Sequence, residues 1–222
     1  MTPSNLPERL AALDTAEVSD ALDSLGVPGK IPQVVSRVPG SRFCGPAFTV
    51  RYQAIADPVG GFRNAANYID EVPEGAVIVS DNAGSLECTT WGSLLTITAG
   101  LRKVAGSIVF GSVRDLAETR ELGFPLFSAG VSMVSGKNRV ELAAVGERLD
   151  LAGLPVAPGD YVLADDNGAL VVPAELLAEV VERAERVRLT EERIAEAVRA
   201  GMSLAQARSS FGYAQPWAAE SA

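Results

Sequence analysis

Residues 75–81 read Gly-Ala-Val-Ile-Val-Ser-Asp, an apolar run that closes on a polar pair and passes into Asn82-Ala83-Gly84. A strand with apolar residues at consecutive rather than alternate positions has to be buried on both faces. Strands of that kind belong to parallel sheets covered by helices. The pattern recurs at Ser107-Ile108-Val109-Phe110, which passes into Gly111-Ser112-Val113-Arg114-Asp115. Between the two, residues 93–103 (SLLTITAGLRK) predict a helix; residues 116–122 predict a second, short helix and Pro125 to Ser128 a third strand. Strand, loop, helix and strand in alternation predict an α/β fold.

The flanks have a different texture. Residues 15–25 predict a short helix with Asp14 or Thr15 as N-cap, Val18, Leu22 and Leu25 at helical spacing, and Gly26 as the stop. Residues 27–46 are rich in Pro and Gly and read as a loop, before a strand at Phe48 to Tyr52. From 131 to 172 short β runs follow at 139–145, 159–165 and 169–172, with Asn167-Gly168 as a hairpin signal. Pro173 opens a long helix through Arg199, closed by Gly201, and the chain from Phe211 onward is expected to dock loosely or fray. With 222 residues, 47% of them hydrophobic, one compact domain with a helical appendage has ample core material. The expected division is a domain over 1–175 and a C-terminal helical extension over 176–222.

Charge and composition exclude several functions. Nineteen Lys+Arg against 28 Asp+Glu give a net charge of -9, which argues against nucleic acid as a partner. There is no histidine, so His-based triads, general bases and zinc sites are excluded. A metal would have to be a hard cation on oxygen ligands. Cys44 and Cys88 have no metal spacing and read as small buried hydrophobes. No stretch approaches the ~20 apolar residues of a membrane span, and no basic segment leads into an apolar run near the N-terminus. The expectation is a cytoplasmic protein with no membrane partner. No GxGxxG follows a strand, and Walker and GxSxG motifs are absent.

Two constellations could carry chemistry. Gly92-Ser93-Leu94-Leu95 opens a helix whose unsatisfied N–H groups attract a carboxylate or phosphate, and Gly92 allows close approach. Arg114-Asp115, at the end of the next strand, returns to the same end; a forked guanidinium beside an acid that can hold Mg²⁺ suits a 2-oxo acid. The alternative is a surface ion pair after a strand. The second feature is Glu191, which falls within the apolar stripe of the long helix (Leu177, Val180, Val181, Ala184, Val187, Ile194, Val198). The alternative is that the stripe ends near Leu189 and the last turns project into solvent. Asp81, Asp165 and Asp166, at strand ends, read as turn caps.

In order along the chain, Ser19–Asp23 with Leu25-Gly26, Gly45–Val50, Gly75–Asp81, Trp91 to Leu95, Gly106 to Asp115, Pro158-Gly159-Asp160 and Ala164 through Pro173 resemble the RraA-like proteins. That family includes the 4-hydroxy-4-methyl-2-oxoglutarate aldolases and the regulator of ribonuclease E activity. The resemblance implies a swivelling β/β/α sandwich, assembled as a homotrimer or a dimer of trimers with sites between subunits, the helical extension contacting a neighbouring subunit. It also implies a class II aldolase that uses Mg²⁺ or Mn²⁺ to cleave 4-hydroxy-2-oxo acids to pyruvate, with oxaloacetate decarboxylation alongside. Carried over, Arg114 binds the pyruvyl oxygens, Asp115 holds the metal, the amides at Ser93, Leu94 and Leu95 take the carboxylate, and Glu191, with Glu192 in reserve, is the acid from a neighbouring subunit. One departure stands out. The aldolases carry Asp, then twenty intervening residues, then Arg-Asp, and that first position here is Ser93. The other expectation the family carries is a non-catalytic binder that caps an RNA-degrading enzyme; methyl transfer to a quinone lacks a glycine-rich cofactor loop.

Overall fold

The computed structural model describes residues 5–56 and 66–217. In chain order the elements are α1 (Leu6–Ala12), α2 (Thr15–Ser24), β1 (Val35–Ser36), β2 (Phe43–Ala54), β3 (Val77–Asp81), β4 (Thr89–Trp91), α3 (Ser93–Leu101), β5 (Gly106–Val113) and α4 (Leu116–Glu121). There follow β6 (Leu126–Val131), β7 (Val140–Val145), β8 (Leu149–Leu151), β9 (Leu154–Val156), β10 (Tyr161–Asp165), β11 (Gly168–Val172), α5 (Leu177–Arg199) and α6 (Leu204–Ser210). Packing divides the chain into residues 29–174 and a helical unit of the N-terminal 28 residues with residues 175 onward. The sequence places α1 and α2 with the sheet domain; by packing they group instead with the C-terminal helices.

Within residues 29–174 one mixed sheet runs β1-β6-β5-β3-β2-β10-β11, with β4 added on β5 and β7 on β2. The β2–β3, β3–β5, β5–β6 and β4–β5 pairs are parallel. The sheet nearly closes, because the chain before β1 reaches the far edge: Ile31 N–H donates to Ala169 O at 2.9 Å and Lys30 bridges Leu170. All of β3 and β5 is buried, as their apolar runs require. Alternate residues serve two cores. Val77, Val79, Ile108, Phe110 and Phe127 point inside the curl, while Ile78, Val109, Val113 and Leu126 pack outward against Trp91, Leu95, Ala99 and Phe124.

Several elements escape a reading by periodicity. β2 begins at Phe43 rather than Phe48, running through Cys44-Gly45-Pro46. Residues 43–46 are laddered to β10 while β3 begins its pairing only at Ala47, so Pro46 interrupts no second ladder. β4, β8 and β9 have three residues each, too short for a period. The β8–β9 hairpin turns at Ala152 and Gly153, both at positive φ, and buries Leu149, Leu151, Leu154 and Val156 in the inner core. The β10–β11 hairpin turns through Asp166-Asn167, with Gly168 already paired to Asp165, one residue earlier than its Asn-Gly signal suggests.

In the helical unit, Asp14 caps α2 in a reciprocal capping box with Glu17. Arginines then tie the helices together. Arg9 of α1 makes two hydrogen bonds to Glu185 of α5, at 2.8 and 2.6 Å. Arg188 makes two to Glu17, at 3.0 and 3.1 Å. Arg183 pairs with Glu179, as its i,i+4 spacing suggests, but also reaches Ser24 Oγ at 2.9 Å, so it is a packing residue and not only a solvated one. The buried line of α5 runs Val187, Thr190, Ile194; Glu191 lies beside it and is exposed. From Phe211 to Trp217 the chain docks rather than frays. Arg186 donates to Trp217 O at 2.8 Å and the Arg208 guanidinium lies 4.6 Å above the Tyr213 ring; residues 218–222 lie outside the described residues. Among the described residues no helix is long and apolar enough to cross a membrane.

A tight contact in the inner core gives a test. A Cβ at Gly106 would meet the Phe43 ring at 2.6 Å, and that ring is held edge-on against Phe127 at 5.5 Å. Gly106→Ala should cost about 1–3 kcal/mol, read as a lower urea midpoint at constant slope. An unchanged midpoint would show that the inner core yields freely.

Candidate active site

The parallel strands β4 and β5 end side by side, and the residues just beyond their ends form one site. Gly92 leads from β4 into α3, and Arg114-Asp115 lead from β5 into α4. Loops at the carboxyl ends of parallel strands are where α/β sheets place ligands. Arg114 N–H donates to Trp91 O at 3.1 Å, which locks the two exits together. Asp115 sits in the left-handed region (φ 59°, ψ 40°), a conformation that Asp tolerates better than most residues, and caps α4. That backbone turn aims its carboxylate at the start of α3, where Oδ2 accepts from Ser93 N–H at 2.9 Å.

The arrangement leaves no room for a side chain at residue 92. A Cβ there would lie 2.8 Å from Asp115 Oδ2 and 3.3 Å from Arg114 Nε. Behind it, Trp91 Nε1–H donates to Thr96 Oγ1 at 3.0 Å, the Thr96 and Thr119 hydroxyls share a hydrogen bond of 3.2 Å, and the Thr119 hydroxyl donates to Asp115 O. Trp91 also stacks on Phe124 at 5.8 Å. The first turns of α3 and α4 are therefore held to each other by a buried polar chain and a ring stack.

In front of this wall lies a cavity of about 300 Å³. Gly92, Ser93, Leu94, Leu95, Arg114 and Asp115 all line it, so the structure brings the first constellation together in one place. Arg114 Nε approaches Asp115 Oδ2 at 3.6 Å, each side chain being more than a third exposed. An exposed pair at that distance contributes about 0–1 kcal/mol, so stability is a poor reason for it. The other guanidinium N–H groups, and the amides of Leu94 and Leu95, make no hydrogen bond among the described residues. The Ser93 amide differs from the expectation for it: Asp115 occupies it. The cavity also has walls that sequence reasoning missed, among them Tyr52, Thr90, Val140 and Lys137. The β-branched pair Thr89-Thr90 before Trp91 was a weak strand signal; the lysine, in a loop far along the chain, had none.

Glu191 is elsewhere, in the helical unit. It lines a second cavity, about 380 Å³, with Asp20, Asp23, Tyr213 and Trp217. Its carboxyl is held above the ordinary value by partial burial and by the charges of Asp20 and Glu17; Asp20 is raised too, by burial and Asp23. Two of the strand-end acids are turn caps, Asp81 accepting from Ala83 N–H and Asp165 from Asn167 N–H; Asp166 instead accepts from Gly40 N–H, far away in the sequence. Cys44 and Cys88 are free thiols, Cys44 pushed up to about 11 by burial.

Residues 15–171 match the RraA-like family model, Aldolase/RraA. The chain belongs to the RraA-like family. Over 216 residues, 97% of its length, it is 44% identical to DlpA of Legionella pneumophila, and it spans only 35% of that longer protein. It is 27% identical over 180 residues to a Halalkalibacterium halodurans protein provisionally named a 4-hydroxy-4-methyl-2-oxoglutarate aldolase, covering 81% of this chain and 82% of that one. Streptomyces coelicolor RraAS2, described as an unusual member of the RNase ES inhibitor RraA protein family, superposes with a TM-score of 0.77 at 27% identity over 86% of this chain and 95% of its own. The swivelling β/β/α fold is thus the RraA fold, here with a long C-terminal helix.

The raised acids give a prediction with a definite sign. A carboxyl whose folded-state pKa is raised stabilises the fold in its protonated form. That contribution is present below the ordinary carboxyl pKa and is lost as pH rises through the raised one. Glu191→Gln should therefore raise the melting temperature at pH 7 and leave it unchanged near pH 4, measured by calorimetry at both. A loss of stability at pH 7 would mean that Glu191 is paired rather than crowded.

Proposed function

We propose that the RraA-like cavity beside Arg114 is the site of a carbon–carbon lyase that releases pyruvate from a 4-hydroxy-2-oxo acid of the 4-hydroxy-4-methyl-2-oxoglutarate type, and from oxaloacetate by decarboxylation. The observation that carries this reading is the convergence of a guanidinium, a carboxylate and the amides of a helix start on one small cavity. In this reading the substrate carboxylate is held by the Leu94 and Leu95 amides, whose dipoles favour an anion there. Arg114 faces the 2-oxo oxygen. Loss of the proton from the C4 hydroxyl makes a C4 carbonyl, the C3–C4 bond breaks, and its electron pair moves onto C3 to give the enolate of pyruvate. Arg114 stabilises the oxygen on which that charge develops. A proton returned to C3 completes pyruvate. Oxaloacetate follows the same course with carbon dioxide as the leaving fragment.

Divalent metal use is suggested by the aldolase-named relatives, and the donor set can be tested against it. No group of three or more His, Cys, Asp or Glu residues suited to a metal occurs among the described residues. Asp115 has one carboxylate oxygen committed to Ser93 N–H and the other available. That fits Mg²⁺ or Mn²⁺ held by one carboxylate, the 2-oxo acid's own oxygens and water, rather than in a resident cage. The metal would supply Lewis-acid polarisation of the 2-oxo group. Among its described residues the cavity has no second carboxylate to accept the C4 hydroxyl proton. Glu191 of a neighbouring copy, in a homotrimer or dimer of trimers, is the proposed acceptor, and cytoplasmic metabolism the proposed setting. The likeness to RraAS2 favours one alternative, an inhibitor of an RNA-degrading enzyme, which turns over no oxo acid.

Pyruvate release from oxaloacetate and 4-hydroxy-4-methyl-2-oxoglutarate, followed through a coupled dehydrogenase with Mg²⁺ and with EDTA, tests the reading. Activity should require the metal. Arg114→Ala should lower kcat/KM by about 10²–10³, with little change in melting temperature because the side chain is partly exposed. Full activity in that variant would remove Arg114 from the chemistry.

A further inference from the structure

We propose that the second cavity, between α2, α5 and the segment after α6, binds a small organic cation with an ammonium group at each end, of the alkyl diamine class. The cavity lies wholly within the helical unit and is independent of the oxo-acid site. Its charge is one-sided. Asp20 and Asp23, three residues apart on α2, and Glu191 of α5 line about 380 Å³ of space. Among the described residues none of the three carboxylates has an ion pair or a hydrogen bond. The arginines of α5 nearest to them in sequence are spent elsewhere: Arg183 on Ser24 and Glu179, Arg186 on Trp217 O, Arg188 on Glu17. Partial burial, and after it the neighbouring acids, hold Asp20 and Glu191 above the ordinary carboxyl value, as expected of acids that no cation of this chain neutralises.

The rest of the wall says what kind of cation fits. Thr190 lines the cavity, is only 8% exposed and makes no hydrogen bond among the described residues, so a buried hydroxyl is available to a donor. Tyr213 and Trp217 line it as well. Their segment is fixed: Tyr213 N–H donates to Arg208 O at 3.1 Å, Gln215 N–H to Gly212 O at 3.0 Å, and Arg186 to Trp217 O at 2.8 Å. The Tyr213 ring already has one cation as a neighbour, the Arg208 guanidinium at 4.6 Å. Rings beside carboxylates suit an ammonium on a hydrocarbon stem, the charge meeting the acids and the methylenes the rings. A bare metal ion is the poorer match, because no group of three or more acids among the described residues is set to hold one. Acids on both the α2 and the α5 walls call for a charge at each end of the ligand. A volume of about 380 Å³, on the order of ten water volumes, admits a four-carbon chain.

Calorimetric titration with 1,4-diaminobutane, at an ionic strength held constant with NaCl, tests this. The wild type should bind one equivalent, at least about 10-fold more tightly than 1-aminobutane, and should not bind 1,4-butanediol. Asp20 and Asp23, which take no part in the chemistry proposed above, carry the mutational test. Replacing both by Asn should weaken the diamine by about 10–100-fold, while the melting temperature without diamine holds or rises because crowded carboxylates are gone. Thr190→Val should weaken it by about 3–10-fold. Absence of binding to the wild type, equal affinity in the wild type and the double variant, or displacement of the diamine by Mg²⁺ at the same ionic strength overturns the proposal. An affinity that falls as the protein concentration rises overturns it too, since a basic side chain of a second copy is then the occupant. Pyruvate release, assayed without diamine, is untouched by any of these results.

Discussion

The parallel strands β3 and β5 have no solvent side: all five residues of one and all eight of the other are buried. The rest of the sheet domain answers that constraint. One face has to be covered by curling the sheet and filling the curl with the β8–β9 hairpin. The other is covered by α3 and by aromatic and aliphatic side chains from the connections. A strand that needs cover on both faces ends where the cover ends, and polar residues are tolerated there because water reaches them. Arg114-Asp115 follow β5, partly exposed and beside the start of α3 on the same rim. The site is a consequence of how the burial stops.

Asp115 is both part of the cavity and an obstacle in it. Its carboxylate takes the Ser93 amide, so the first donor of the helix start is satisfied internally and a ligand finds the next two. The family's aldolases carry an aspartate where this chain has Ser93. A second carboxylate within reach of Asp115 would raise the cost of ionising either one and favour a bound cation. With serine the local charge is one guanidinium against one carboxylate, a balance that admits an anion first and a metal with it.

Much of this architecture was legible from the sequence because double-sided burial writes itself as consecutive apolar residues. Helix starts write themselves as caps such as Asp14 with Glu17. The pairing of Gly92–Leu95 with Arg114-Asp115 was legible as well, since a right-handed crossover returns neighbouring parallel strands to the same edge. What escaped was set by contacts distant in sequence. Three-residue strands have no period to detect; β2 runs through Pro46 because only one side of it is paired there; α1 and α2 belong with α5 because Arg9, Arg188 and Arg183 find partners in space. Glu191 falls inside the apolar stripe in a helical projection, yet Thr190, one position earlier, takes the inward place. A stripe defined by apolar residues alone misplaces its edge when a threonine continues it.

The distribution of charge bears on the choice between a catalyst and a masking protein. A protein that masks a basic partner needs its acids free on the surface. On α5 two are already committed, Glu185 to Arg9 and Glu179 to Arg183, while Glu17 of α2 is held by Arg188. The cavity beside Arg114, about 300 Å³, is too small for a macromolecular segment. A net charge of -9 repels polyanions at long range, whereas the Arg114 guanidinium and the N–H groups at the start of α3 offer a small anion a local site.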